Sequence, residues 1–191
     1  MTAEETQELG REGVAIIKRW LEATTFIELP FDAYNNTLDC IQPHLDGRKT
    51  FDLKGHYLIG KKEPIVVECK RFSSPGGQYS EFLHFLAIAY SSTVKEQDDL
   101  GGARARHFLW VTFHPFNLAN WAQLETRDQM VKALVEHPEY LQGRDIDEGL
   151  VRDVSSRIMV LVFNPKQEAL SLTRNELNTF RVHIDRKADS L

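Results

Sequence analysis

The sequence has few cysteines and no long apolar run. Cys40 and Cys69 are the only cysteines among 191 residues, too few for a disulfide framework or a four-cysteine zinc site. No stretch approaches the roughly 20 consecutive apolar residues that span a bilayer, and the acidic, polar N-terminus is not a secretory signal. These absences exclude a disulfide-stabilised scaffold and a membrane protein, and we expect a cytoplasmic location.

Positive charge is also scarce. The chain has 23 Lys and Arg against 28 Asp and Glu, a net charge of -5. Proteins that hold nucleic acid mainly by charge are usually basic, so contact with a phosphate backbone would need a local basic patch or a partner. The length and ordinary composition fit one globular domain. We predict a single domain over residues 1–191, with a flexible charged tail from about residue 185.

Hydrophobic periodicity predicts alternating helices and strands. Leu9, Gly13, Ile16, Ile17 and Trp20 recur at helical spacing and form one apolar face. We expect a first helix that starts at the capping box formed by Thr2 and Glu5 and includes this face. Further helices are expected at 78–91, 117–136 and 147–156, strands at 26–29, 50–59, 65–70, 107–113, 157–163 and 181–184, and a charged loop at 95–102. This order predicts an α/β fold with a mixed central sheet.

Residues 50–59 and 65–70 are predicted to form a hairpin, because a glycine- and proline-containing turn separates them. Strand alternation would place Phe51 and Leu53 on one face and Asp52 on the other. Antiparallel pairing would then bring Asp52 close to the charged end of the second strand.

That charged end is the most informative feature of the sequence. Glu68 and Lys70 are two residues apart and therefore project to one face, with Cys69 on the other. Buried charges are costly unless they are paired or bind a metal. A divalent cation between Asp52 and Glu68 would relieve their repulsion, and oxygen ligands favour Mg²⁺ or Mn²⁺. The alternative is a Glu68–Lys70 salt bridge beside an ordinary surface acid at position 52.

These residues resemble the PD-(D/E)XK nuclease superfamily, whose pattern is an acidic residue in a first helix, an Asp in a hairpin, Glu-x-Lys and then a helix. The resemblance implies the restriction-endonuclease-like fold, an α/β/α sandwich. It also implies that Asp52, Glu68 and the Cys69 carbonyl bind the metal, that Lys70 is catalytic, and that Glu12 is an accessory ligand.

The resemblance covers residues 8–113 in order and element type. It departs from the family pattern at Phe51, where the family motif has proline. Gln78 is an accessory candidate, because some family branches place a glutamine at the start of the next helix. The tyrosine that accompanies it there is replaced by Phe82.

The resemblance implies an Mg²⁺-dependent phosphodiesterase, with Mn²⁺ as a substitute. DNA is the favoured substrate and RNA remains open. The phosphate backbone would be contacted by Lys54, Arg71, Arg104 and Arg106. We expect a homodimer or the nuclease subunit of a larger DNA-processing or anti-phage defence complex. The alternative is a catalytically inactive module of the same fold that binds nucleic acid or a protein partner.

Overall fold

The computed structural model describes residues 3–71, 76–102, 104–173, 175–176 and 178–179. The helices are α1 (Ala3–Thr24), α2 (Gln78–Leu100), α3 (Arg127–Glu136) and α4 (Glu148–Ser155). The strands are β1 (Ile27–Asp32), β2 (Ile41–His44), β3 (Gly47–Thr50), β4 (Leu53–Tyr57), β5 (Pro64–Lys70), β6 (His107–Thr112) and β7 (Ile158–Val162). Short 3-10 helices lie at Leu118–Gln123, Pro138–Leu141 and Pro165–Leu170. The expected strand at 181–184 and the tail from about 185 lie outside the described residues.

Five strands form the central sheet in the order β1-β4-β5-β6-β7. The pairs β1–β4 and β4–β5 are antiparallel, whereas β5–β6 and β6–β7 are parallel. Each parallel pair is joined through helices, as parallel connections require. The predicted α/β class with a mixed central sheet is therefore confirmed.

Separate hydrophobic cores lie on the two faces of the sheet. On one face, α1 contributes Val14, Ile17 and Leu21, which pack against strand residues such as Val67 and Leu109. On the other face, α2, α3 and α4 cover Val66, Phe108 and Trp110. Successive side chains of β5 point into opposite cores. Even-numbered residues such as Val66 therefore face α2, and odd-numbered residues such as Val67 face α1.

The segment around Asp52 differs from the expected strand. Residues 50–59 belong to two strands, since β3 ends at Thr50 and β4 begins at Leu53. Phe51 lies in the α2-side core and Leu53 in the α1-side core. The prediction that these two side chains share a face is wrong, because the chain bends at Asp52 and the strand alternation does not continue through it.

Two further element predictions are corrected. The expected loop at 95–102 is wrong, because α2 continues to Leu100 and ends at Gly101, whose φ is 70°. The expected helix at 117–136 is a 3-10 helix followed by the separate helix α3.

Within the described part of the chain, no helix combines the length and the apolar character needed to cross a membrane.

Candidate metal centre

The structure brings Asp52 and the end of β5 together. Leu53 of β4 pairs with Val67 of β5 in antiparallel register. Along the chain Asp52 comes directly before Leu53 and Glu68 directly after Val67, so the two residues lie beside each other at this end of the strand pair. The Cys69 amide donates a 2.7 Å hydrogen bond to Asp52 Oδ2, which fixes this carboxylate against β5.

Glu68 projects towards α2 together with Lys70. Its side chain is only 6% exposed, and its Oε1 lies 3.0 Å from Lys70 Nζ and 3.0 Å from Lys49 Nζ. Lys70 Nζ also lies 2.7 Å from a carboxylate oxygen of Glu81 in α2 and 5.3 Å from the centre of the Trp110 ring. At this site, therefore, lysine and glutamate side chains alternate and pack against the apolar ring of Trp110.

The surroundings change the ionisation of these groups. Burial and the nearby charge of Glu68 raise the pKa of Asp52 to about 7, against the opposing influence of the Cys69 amide and the lysines. Burial alone would lower the pKa of Lys70, but Glu68 and Glu81 outweigh it and raise that pKa to about 12. Lys70 therefore stays charged at neutral pH, while Asp52 holds its proton to a higher pH than an ordinary aspartate does.

The donor set fits a divalent cation. Glu68 Oε2 is buried and has no hydrogen-bond partner among the described residues, and such an atom normally has one. No group of three or more metal-binding side chains is found in the described ranges. Mg²⁺, however, typically uses one or two carboxylates and keeps several waters. Asp52 and Glu68 are thus the side chains that could hold such a cation, and ligation by these carboxylates and by the Cys69 carbonyl stays a prediction.

Glu12 and Arg71 pair with each other on the α1 side of the sheet. Glu12 Oε2 lies 2.9 Å from an Arg71 guanidinium nitrogen. The guanidinium also stacks on Phe113 at 5.4 Å, while its aliphatic part packs beside Gly13. The Glu12 carboxylate is therefore paired with Arg71, and its role as an accessory metal ligand stays a prediction.

Gln78 is buried at the first turn of α2 but faces the end of β6. Its side-chain oxygen accepts a 2.5 Å hydrogen bond from the Thr112 hydroxyl, and its amide donates to the His114 carbonyl at 3.4 Å. It therefore positions the N-terminus of α2, the helix that supplies Glu81.

The expected phosphate-contacting residues differ in their exposure and in their partners. Arg106 is buried and pairs with Glu96 at 3.2 Å, so its assignment to a nucleic-acid surface is corrected. Lys54 Nζ donates to the Ile41 carbonyl at 3.3 Å and holds β2 against the sheet. Arg104 is exposed, and its contact with nucleic acid stays a prediction.

Sequence reasoning identified Lys49 only as one of several positive charges around the hairpin, and it missed the contacts of Lys49 with Glu68 and of Glu81 with Lys70. Lys49 reaches Glu68 only because β3 folds beside the central sheet, and Glu81 reaches Lys70 only because α2 begins over the end of β5. For Glu81, the available signal was its position in the first turn of a predicted helix. Local sequence carries no signal for the contact of Lys49 with Glu68.

No protein-family model matches the chain, and no curated protein matches it significantly. Among solved structures, it is similar to the Acinetobacter baumannii Cap4 SAVED/CARF-domain containing receptor with the cyclic trinucleotide 2'3'3'-cAAA, at 14% identity over 93% of this chain and 36% of that chain, with a TM-score of 0.39. It is also similar to the Moraxella osloensis Cap4 SAVED/CARF-domain containing receptor, at 11% identity over 98% of this chain and 40% of that chain, with a TM-score of 0.40. The chain thus spans about two fifths of the length of these proteins. At TM-scores below 0.5, the likeness does not assign a function to it.

Proposed function

We propose that this chain is an Mg²⁺-dependent nuclease with a restriction-endonuclease-like fold, and that its substrate is DNA. One observation carries the proposal. Asp52, Glu68 and Lys70 meet where β4 begins and β5 ends, and a buried oxygen of Glu68 has no hydrogen-bond partner among the described residues. Two crowded carboxylates beside a charged lysine are the groups that metal-assisted phosphodiester hydrolysis needs.

The chain's own residues would divide the chemistry between them. A bound divalent cation would polarise a phosphate oxygen and lower the pKa of a ligated water. Asp52 and Glu68 would hold the cation, with the Cys69 amide fixing the Asp52 carboxylate. Lys70, kept charged by Glu68 and Glu81, would orient the attacking water or stabilise the negative charge that develops on the phosphate.

The decisive experiment is a cleavage assay with plasmid DNA, linear DNA and RNA, with Mg²⁺ or Mn²⁺ present and absent. The Lys70→Ala variant should lose metal-dependent cleavage and keep its circular dichroism spectrum. Lys95→Ala is the matched control, because Lys95 forms an exposed ion pair with Asp99 on α2. Full cleavage by a folded Lys70→Ala protein would refute the proposal, and cleavage of RNA alone would refute the choice of DNA.

A second candidate function is a catalytically inactive module that binds nucleic acid or a protein partner. Two observations favour it: two lysines already neutralise Glu68, and the net charge is -5. Mn²⁺ calorimetry separates the two functions: a nuclease should bind Mn²⁺ and lose that site in Asp52→Ala, whereas such a module should show no site that this substitution removes. We also propose that the nuclease acts as a homodimer or as a subunit of a DNA-processing or anti-phage complex.

A further inference from the structure

Lys49 is a positively charged residue at the site. It has no counterpart in the sequence motif that predicted Asp52, Glu68 and Lys70. Its Nζ lies 3.0 Å from Glu68 Oε1 and 5.9 Å from the centre of the Phe51 ring. The side chain is 31% exposed, whereas that of Glu68 is 6% exposed. Lys49 thus reaches from the surface into the buried carboxylate.

The two lysines on Glu68 are held very differently. Lys70 is fixed by Glu68, by Glu81 and by the face of Trp110, and its side chain is 19% exposed. Among the described residues, Lys49 has one ion pair, with Glu68, and it lies nearer to solvent. If the positive charge near Glu68 increases, Lys49 is therefore the lysine that can move away at the smaller cost.

The backbone that carries Lys49 is firmly anchored. The Leu45 amide at the tip of the β2–β3 hairpin donates to the Ser91 hydroxyl of α2 at 3.0 Å. At the base of the hairpin, the Phe51 amide donates to the Cys40 carbonyl at 3.1 Å. Movement of Lys49 would thus be a change of side-chain rotamer above a fixed strand, which keeps its ammonium group within reach of whatever occupies the site.

We propose that Lys49 exchanges partners and serves as a phosphate-binding residue of the nuclease. It pairs with Glu68 while no divalent cation is bound. When Asp52 and Glu68 hold a cation, the added positive charge repels the Lys49 ammonium group, which turns to a phosphate of the DNA backbone beside the scissile bond. This inference rests on the proposed nuclease function, since it assumes the cation site and the DNA substrate.

The exchange predicts effects of opposite sign on two affinities. Lys49→Met removes a cation that competes for Glu68, so Mn²⁺ measured by calorimetry should bind about fivefold to tenfold more tightly. The same variant should bind double-stranded DNA more weakly in Ca²⁺, which takes the same oxygen ligands as Mg²⁺. The slope of log affinity against log salt concentration should fall by about one, as expected for one lost phosphate contact.

Lys49→Arg and Arg48→Met are the matched controls. Lys49→Arg keeps the charge and should stay close to wild type in both measurements. Arg48→Met removes one positive charge from the neighbouring exposed position of β3 and should leave Mn²⁺ affinity unchanged. Unchanged or weaker Mn²⁺ binding by folded Lys49→Met, or an unchanged salt slope, would overturn the inference.

Failure of the underlying function gives a different result. If wild-type protein shows no Mn²⁺ site that Asp52→Asn removes, the proposed nuclease is wrong, and the role of Lys49 falls with it. If that site is present and Lys49→Met behaves like wild type, only the role of Lys49 is wrong.

Discussion

At the scale of single residues, Asp52 connects the charge of the site to the stability of the protein. Burial and repulsion from Glu68 raise the pKa of Asp52 to about 7, whereas an unfolded aspartate titrates near 4. Between these two pH values the folded protein holds more protons than the unfolded chain. The stabilising contribution is therefore present below about pH 4 and is lost as the pH rises through 7.

We predict that Asp52→Asn weakens this pH dependence. In chelator-treated protein, the free energy of unfolding of wild type should decline from pH 4.5 to pH 8 by a few kcal/mol more than that of the variant, on the order expected for a shift of this size. Urea unfolding at several pH values measures the difference. Parallel pH profiles for the two proteins would contradict the environment described for Asp52.

Arg106 illustrates a charged residue with a structural role. Its side chain is 8% exposed and lies 3.2 Å from Glu96, which is 10% exposed. Removing one partner of a buried ion pair leaves an uncompensated charge, so Arg106→Met should lower the free energy of unfolding by about 3–5 kcal/mol. The double variant with Glu96→Met should lose less free energy of unfolding than the sum of the two single losses.

Exposed Arg104 gives the control, since Arg104→Met should change stability by no more than about 0.5 kcal/mol. A near-neutral Arg106→Met would refute this role.

At the scale of secondary-structure elements, the sequence was most informative for the apolar strands. The apolar runs of β5, β6 and β7 form the parallel half of the sheet, and they were predicted nearly to the residue. This holds even though β7 is less buried than β5 and β6. Glu68 and Lys70 could be placed on one face because β5 keeps its alternation to its end. The last turns of α2 could not be identified, because their mostly exposed, charged residues lack an apolar face.

The bend at Asp52 and the β2–β3 hairpin could not be predicted for a related reason. Both depend on contacts between distant segments, such as the Leu45 amide with Ser91 and Lys54 with the Ile41 carbonyl. Hydrophobic period within a short window contains no information about such contacts. The position of Lys49 follows from them, which is why its ion pair with Glu68 emerged only from the structure.

Gly55 sets the distance between β1 and β4. A Cβ atom at this position would lie 1.8 Å from the Glu28 carbonyl oxygen, and a backbone atom cannot yield as a flexible side chain does. We predict that Gly55→Ala lowers the free energy of unfolding by about 2–4 kcal/mol, since the two strands must separate. Gly102→Ala is the control, because a Cβ atom added there would meet no described atom within 4 Å. Equal stabilities of the two variants in urea unfolding would show that β1 can shift without cost.

At the scale of the whole molecule, the sheet topology and the charge distribution meet at the site. The carboxylates lie between β4 and β5, where the antiparallel part of the sheet adjoins the parallel part. They are at the end of these strands that the first turn of α2 covers. The protein carries a net charge of -5, so its overall field would attract divalent cations and repel DNA. Binding of DNA would then depend on the cation and on a few local lysines, rather than on a broad basic surface.

Cation binding should accordingly stabilise the entire fold. A ligand that binds only the folded state at about 100 times its Kd adds about 2.7 kcal/mol, which corresponds to a rise in Tm of roughly 5–10 °C for a chain of this size. We expect this rise with Mn²⁺ at pH 8 and a smaller one at pH 5.5, because protons compete with the cation for Asp52. Asp52→Asn should abolish most of it, with ionic strength matched by NaCl throughout. An equal rise in Tm for wild type and Asp52→Asn would place the bound cation elsewhere on the acidic surface and remove the metal centre from these two carboxylates.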